Sequence, residues 1–222
     1  MAVGLLRVWL QPKDSVDEVS FHKWRLAAFS DIPGVFAVDI LTATDEVSPE
    51  NHYRYENAYH IGDVQKITEL LVQRLRNESN RVLERSDWQI YERICHHERD
   101  HAGERLTGTV FITVGMSPTE TPENIRDFHE WYDQEHLPIL FNVPGWRTGS
   151  RYRRTVSYGD KMESVSPYLA VHQYNEKNGL GGEQWSRSIH SPWTKRVQSN
   201  LVAPNHRRVW KLVKGEVIRR EE

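Results

Sequence analysis

With 222 residues, 29 Lys and Arg against 31 Asp and Glu, and a formal net charge of −2, the chain offers no global field for nucleic acid or an anionic membrane. An apolar fraction of 38% beside 27% charged residues is ordinary for a folded domain and excludes wholesale disorder. The lone Cys95 cannot close an intramolecular disulfide, no run of about 18 apolar residues is present to span a bilayer, and the start lacks a signal peptide's basic and apolar regions; the expectation is a soluble cytoplasmic protein.

In chain order, residues 5–10 read as an apolar strand, followed by a helix over 17–29 with Asp17 as its N-cap. Pro33-Gly34 turns the chain into a strand over 35–44. Residues 53–61 form the next strand, with Tyr53, Tyr55 and Tyr59 on one face at period two. Asp63 then caps a helix through Ile67, Leu70, Leu71 and Leu75, a strand over 88–95 closes the series, and the charged segment 95–106 reads as a linker. A second series repeats the order. It has a strand over 109–114, then a helix that opens at Pro122, where a missing N–H costs nothing, and ends near Pro138. Strands over 146–156 and 167–174, a short helix over 184–189 continuing past Pro192, and a strand over 206–213 complete it. The basic run Lys211, Lys214, Arg219 and Arg220 is balanced by Glu216, Glu221 and Glu222 and reads as a solvated tail.

Two internal matches tie the series together. Phe21-His22-Lys23-Trp24 recurs roughly 110 residues on as Phe128-His129-Glu130-Trp131, and Ile32-Pro33-Gly34-Val35 recurs, in the same order, as Val143-Pro144-Gly145-Trp146. The chain is thus read as a duplication, with an N-terminal half over 1–100 and a C-terminal half over 101–222. Each βαββαβ half predicts a ferredoxin-like sandwich, helices on one face of an antiparallel sheet. The bare face of each sheet can be covered by the other, enclosing a cavity between them. In the strand over 168–174, Leu169 and Val171 suit the helix layer, which leaves Tyr168, Ala170, His172 and Tyr174 facing that cavity.

The segment Phe128-His129-Glu130-Trp131-Tyr132-Asp133-Gln134-Glu135-His136-Leu137-Pro138, followed by Val143-Pro144-Gly145-Trp146, Arg151-Tyr152 and Ser191-Pro192-Trp193-Thr194, resembles the dimeric α/β-barrel superfamily and, within it, the EthD-like branch. The resemblance covers 107–213, with a fainter echo in the first half. It implies an α+β fold in which two tandem ferredoxin-like units form an intramolecular dimeric α/β barrel, as a monomeric pseudo-dimer or a homodimer of such chains. The superfamily holds polyketide cyclases, decarboxylases, cofactor-free oxygenases and haem-active enzymes, so the fold leaves the reaction open. Where the second half carries Tyr132-Asp133-Gln134-Glu135-His136, the first has Arg25-Leu26-Ala27-Ala28-Phe29. One equipped pocket is therefore expected, built by the C-terminal half, with the N-terminal half as scaffold and lid.

At about 100° per helical residue, His129, Asp133 and His136 fall on one stripe beside the apolar arc of Phe128, Trp131 and Tyr132. A neutral histidine there can take a proton from an acidic carbon or a phenol, and a carboxylate can fix its tautomer. His136 is the expected general base, oriented by Asp133, with His172 a second acid/base across the pocket; His129, which has a counterpart in His22, is either structural or catalytic. Glu135 is expected to be tied to backbone or to Arg151. Tyr152, Tyr168 and Tyr174 are expected to hydrogen-bond substrate oxygens, and Trp131, Tyr132 and Trp193 to form the walls. A metal site at His129, Asp133 and His136, another at Cys95-His96-His97 with His101, and haem ligation by His172 are weaker alternatives; the helical zinc spacing fails because Asp133 stands where its second histidine belongs. Dinucleotide, P-loop and hydrolase-elbow motifs are missing. The expectation is a secondary-metabolism enzyme without cofactor or metal, a lyase or cyclase that closes, dehydrates or decarboxylates a small aromatic or polyketide-like carbonyl compound. A monooxygenase that reacts a phenolate with O₂ and a non-catalytic carrier of a hydrophobic metabolite remain open, and no nucleic acid or membrane partner is expected.

Overall fold

A computed structural model describes residues 2–46, 53–99, 104–159 and 165–218. Strand β1 (Gly4–Pro12) leads into α1 (Glu18–Ala27), where Asp17 accepts a hydrogen bond from the Ser20 amide (2.9 Å) and satisfies one donor of the first turn. Then come β2 (Val35–Ala43), β3 (Tyr55–Ile61), a 3₁₀ turn over Val64–Lys66, α2 (Glu69–Ser79) and β4 (Leu83–Glu98). The second series is β5 (Val110–Met116), α3 (Pro122–Trp131), a π-turn over Tyr132–His136, α4 (Leu137–Phe141), β6 (Trp146–Tyr158), β7 (Tyr168–Tyr174), α5 (Glu183–His190), α6 (Pro192–Ser199) and β8 (His206–Val217).

The strands close into an antiparallel barrel in the order β1-β3-β2-β8-β5-β7-β6-β4. Strands of each series are neighbours, and two seams, β2–β8 and β4–β6, join the arcs. Because side chains alternate across a strand, every strand has one face inside the barrel and one under helices. Outside the first arc, Phe21 of α1 and Val72 and Leu75 of α2 share a core with Trp88 of the sheet; outside the second, Phe128 and Trp131 of α3 share one with Trp146. Inside, Trp9, Tyr53, Leu169 and Trp210 belong to a third core.

The two series repeat one another in detail. Gly34 and Gly145, each after a proline and before a strand, take φ of 77° and 78°, a conformation that costs glycine little. Phe21 lies 4.7 Å from Tyr55 at an interplanar angle of 55°, and Phe128 lies 5.1 Å from Tyr168 at 52°. His22 meets Tyr55 edge-on at 5.5 Å, and His129 meets Tyr168 edge-on at 5.3 Å. At the position of Tyr132 in the repeat, the first series has Arg25. That guanidinium is fully buried and donates to Leu41 O (2.7 Å), Glu56 O (2.9 Å) and Asn57 Oδ1 (3.2 Å), filling the space beneath α1.

Several expectations from sequence need correction. Tyr53 precedes β3 and packs inside the barrel, whereas Tyr55 and Tyr59 pack under the helices. Asp63 caps only the 3₁₀ turn, and Thr68 caps α2 through the Leu71 amide. The stretch read as a linker from Cys95 belongs to β4 as far as Glu98, paired to β6 from Arg151 to Thr148. The half boundary at 100/101 and His101 lie outside the described residues, as do Arg219, Arg220, Glu221 and Glu222. On β7 the faces are reversed: Leu169, Val171 and Gln173 point into the barrel, while Ala170, His172 and Tyr174 lie under the helices. Both faces are buried, so apolarity could not choose between them. Pro138 does not end the helix either; it sits in the first turn of α4, where no hydrogen bond is asked of its nitrogen.

At the barrel centre Arg7 donates to both oxygens of Glu56 (2.8 and 2.6 Å), and Trp9 Nε1–H donates to Oε2 (2.8 Å). Removing one member strands the other charge in the interior. Arg7→Met is expected to cost about 3–5 kcal/mol in urea denaturation, and the double variant Arg7→Met/Glu56→Leu to recover most of it.

Candidate active site

The cavity that holds most of the expected machinery lies between the C-terminal arc of the sheet and its helices, not between the sheets. Its walls include Met116, Trp131, Tyr132, Tyr174, Leu180 and Trp185, and the centre of a water-sized sphere can roam about 110 Å³ of it. Among the described residues none of its lining precedes Ile112, and α5 and the segment before it supply part of its wall.

His136 stands at the end of the π-turn. Its Nδ1 lies 3.1 Å from the Ser188 carbonyl oxygen. A carbonyl only accepts, so Nδ1 carries the proton and the Nε2 lone pair is left free. The same carbonyl accepts from Thr194 Oγ1 (2.8 Å), which in turn accepts from Trp131 Nε1–H (3.0 Å). The imidazole also lies against the Trp131 ring at 4.4 Å. Burial, with Arg151's charge adding, pushes His136 down to about 4, although the Ser188 hydrogen bond opposes this.

His172 is engaged at both nitrogens. Trp146 Nε1–H donates to its Nδ1 (3.3 Å) and can do nothing else, so the neutral ring holds its proton on Nε2 and donates it to Tyr132 Oη (3.0 Å). Burial first, and the neighbouring His136 and Arg151 after it, push His172 down to about 3. Tyr132 thereby accepts from His172 and keeps its own hydroxyl proton for a ligand; burial raises its pKa well above the ordinary phenol value. Both nitrogens of His172 are thus engaged within the protein, by Tyr132 and by Trp146. Gly149 faces it across the sheet, and a Cβ there would stand 2.9 Å from Nδ1 and 3.0 Å from the Trp146 ring.

The stripe of His129, Asp133 and His136 does not form. The π-turn puts Leu137 N–H on Tyr132 O, five residues back. The extra residue in that turn carries His136 away from the other two. Asp133 and His129 instead hold Arg151, whose Nη1 donates to Asp133 Oδ1 (2.9 Å) and Nη2 to His129 Nδ1 (2.7 Å). Burial and the Arg151 charge lower the His129 pKa. Arg151, itself buried, lies over the Tyr132 ring at 4.2 Å, and it brings a positive charge behind the cavity wall. Glu135 accepts from Ser191 Oγ (2.5 Å), not from Arg151.

Of the expected tyrosines, Tyr174 lines the cavity, and burial raises its pKa. Tyr152 points into the barrel, one residue out of phase with Arg151, and Tyr168 packs on Phe128 and His129 at the other end of β7. Trp193 directs its Nε1–H outward to Asp127 Oδ1 (2.9 Å); Trp185, on the adjacent helix, takes the expected wall position. Trp185, Met116, Leu180 and Arg207 were missed because no spacing links them to the helical motif. Among the described residues, no group of three or more His, Cys, Asp or Glu side chains converges as a metal site. His96 contacts Ser150 Oγ (2.8 Å) and Glu98 (3.3 Å).

No protein-family model matches the chain, and no curated protein matches it in sequence. Solved structures do share its fold. An "anthrone oxidase-like protein" is 12% identical, with 97% of this chain and 93% of that one aligned at a TM-score of 0.62. A "putative monooxygenase" from Fusobacterium nucleatum subsp. nucleatum gives 12%, 97%, 95% and 0.62, and another from Lactobacillus acidophilus gives 7%, 99%, 100% and 0.55. At such identities the likeness shows the fold alone, a mixed α/β chain around a closed barrel, as the sequence resemblance implied. Among the described residues no helix is long and apolar enough to cross a membrane.

Both imidazoles are neutral when folded and bind protons more readily when unfolded. The unfolded chain therefore holds more protons between about pH 6.5 and 4, and stability falls as pH drops through that window. The urea midpoint is expected to fall between pH 7.5 and 4.5, and by less in His136→Gln. Gly149→Ala should cost about 1–3 kcal/mol by crowding His172 and Trp146, measured as a shift in the same midpoint.

Proposed function

We propose that the chain is a cofactor-independent oxygenase acting on an aromatic compound with an acidic C–H conjugated to a carbonyl, as in the CH₂ that lies across the ring from the carbonyl of an anthrone. The observation that carries this reading is the neutral His136 with a fixed Nδ1 proton and a free Nε2, set in an apolar, aromatic-walled cavity beside the Tyr132 hydroxyl. The names of two neighbouring folds, an anthrone oxidase-like protein and a monooxygenase, favour oxygen chemistry over the lyase or cyclase reading.

His136 Nε2 removes the acidic proton, and the enolate oxygen accepts a hydrogen bond from Tyr132, with the Arg151 charge behind that ring. A histidine this weakly basic needs a substrate that is already acidic; the enolate beside it then stabilises the imidazolium. The carbanion gives one electron to O₂, and the radical and superoxide combine to form a C–O bond. The peroxide takes its proton from the imidazolium, and loss of water with the second C–H proton leaves a carbonyl. One CH₂ and one O₂ become one C=O and one H₂O. The same reading includes the EthD-like assignment and the origin of the barrel as two fused ferredoxin-like units over 1–100 and 101–222, supported by the matching rings and glycine turns of the two series.

Anthrone is the direct probe, followed with an oxygen electrode without added metal or flavin. Uptake of one O₂ per anthrone converted to anthraquinone is expected, with His136→Ala lowering kcat about 10²–10⁴-fold and Tyr132→Phe about tenfold. Turnover without oxygen uptake would return the assignment to lyase or cyclase, and saturable binding without turnover would make the protein a carrier.

A further inference from the structure

The barrel interior contains a second cavity, separate from the one beside His136. A water-sized sphere's centre can roam about 180 Å³ of it. The far end of the barrel is closed by Trp9, Tyr53 and Trp210, and the Arg7–Glu56 pair forms the floor. Above that floor the chamber is half apolar, with Leu5, Leu41 and Phe111, and half polar.

Its carboxylates are all answered. Asp39 is wholly buried, with His60 Nε2 at 2.7 Å from one oxygen and Arg105 Nε at 2.7 Å from the other. Glu56 is bound by Arg7, and Glu98 lies 3.3 Å from His96. Three donors are left over. Thr113 Oγ1 accepts from Trp210 Nε1–H (3.1 Å) and Arg7 Nη2 (3.4 Å), so its own proton is free to donate. Arg105 binds Asp39 through Nε only, which leaves its two outer nitrogens, and Arg93 on the rim has no carboxylate partner among the described residues. A chamber with spare donors, a rim cation that has no carboxylate partner among the described residues, and apolar walls calls for a ligand with an anionic acceptor at one end and a hydrocarbon body at the other.

We propose that the barrel interior binds a small organic monocarboxylate, its carboxylate between Arg93 and Arg105 and its ring or chain against Leu5, Leu41 and Phe111. This site is independent of the oxygenase reading, since the two cavities share no lining residue.

The probe is 4-fluorobenzoate, titrated by fluorine NMR beside its neutral analogue 4-fluorobenzyl alcohol. The acid is expected to bind saturably and at least about tenfold more tightly than the alcohol. Arg93→Gln, an exposed rim substitution that leaves the core untouched, should weaken the acid about tenfold and leave the alcohol unchanged, while His60 ring protons shift on saturation. His136→Ala should leave the acid's affinity as it was. Absence of saturable binding, equal affinity for acid and alcohol, indifference to Arg93→Gln, or loss of binding in His136→Ala would each overturn the proposal.

Discussion

Pro138 has no amide hydrogen to give to the turn before it, and the chain meets this constraint with a π-turn rather than a helix end. The widened turn over Tyr132–His136 lets α4 begin with its proline in the first turn. Everything in the candidate site follows from that one-residue change of phase. It separates His136 from Asp133 and delivers it to the Ser188 carbonyl, and it leaves His129 and Asp133 to grip Arg151. The Ser191-Pro192-Trp193-Thr194 motif serves the same end. Ser191 caps α6 and binds Glu135, while Thr194 links Trp131 to the carbonyl that fixes His136.

A barrel whose strands are buried on both faces can hold two unlike chambers. Under the helices of the second arc, aromatic side chains surround two neutral imidazoles whose protons are assigned by their neighbours. Inside the barrel, the carboxylates are all paired and the walls are mixed. In the first arc, the chamber beneath the helices is filled by Arg25, whose acceptors are two strand carbonyls, Asn57 and Thr42. A buried cation bonded this way holds strands together and excludes a ligand, so the asymmetry between halves starts from a single residue at the repeat position of Tyr132.

Much of this was legible beforehand. The repeated Phe-His-x-Trp and Pro-Gly words predicted two series of identical element order, and both order and strands are present. His136, Tyr132, Trp131, His172 and Tyr174 were expected in one pocket, and they line one cavity. What failed did so for identifiable reasons. A wheel at constant pitch cannot see a π-turn, so Asp133 and His129 were placed beside His136, whereas they hold Arg151 and the Ser188 carbonyl meets His136. Leu169 and Val171 are as apolar as any helix-facing pair, yet they point into the barrel, because alternation identifies two faces without naming them. Tyr168 was placed by strand alternation, and Tyr152 and Trp193 by their place in the motif, but long-range contacts set their directions.

The central claim is that His136 is a neutral base whose proton sits on Nδ1. Nitrogen-15 NMR of the labelled imidazole rings reads this directly. The account predicts an Nδ1–H tautomer with an unprotonated Nε2 that persists from pH 8 down to about 5, consistent with a pKa near 4. A proton on Nε2, or titration at the ordinary value of about 6.5, would contradict it.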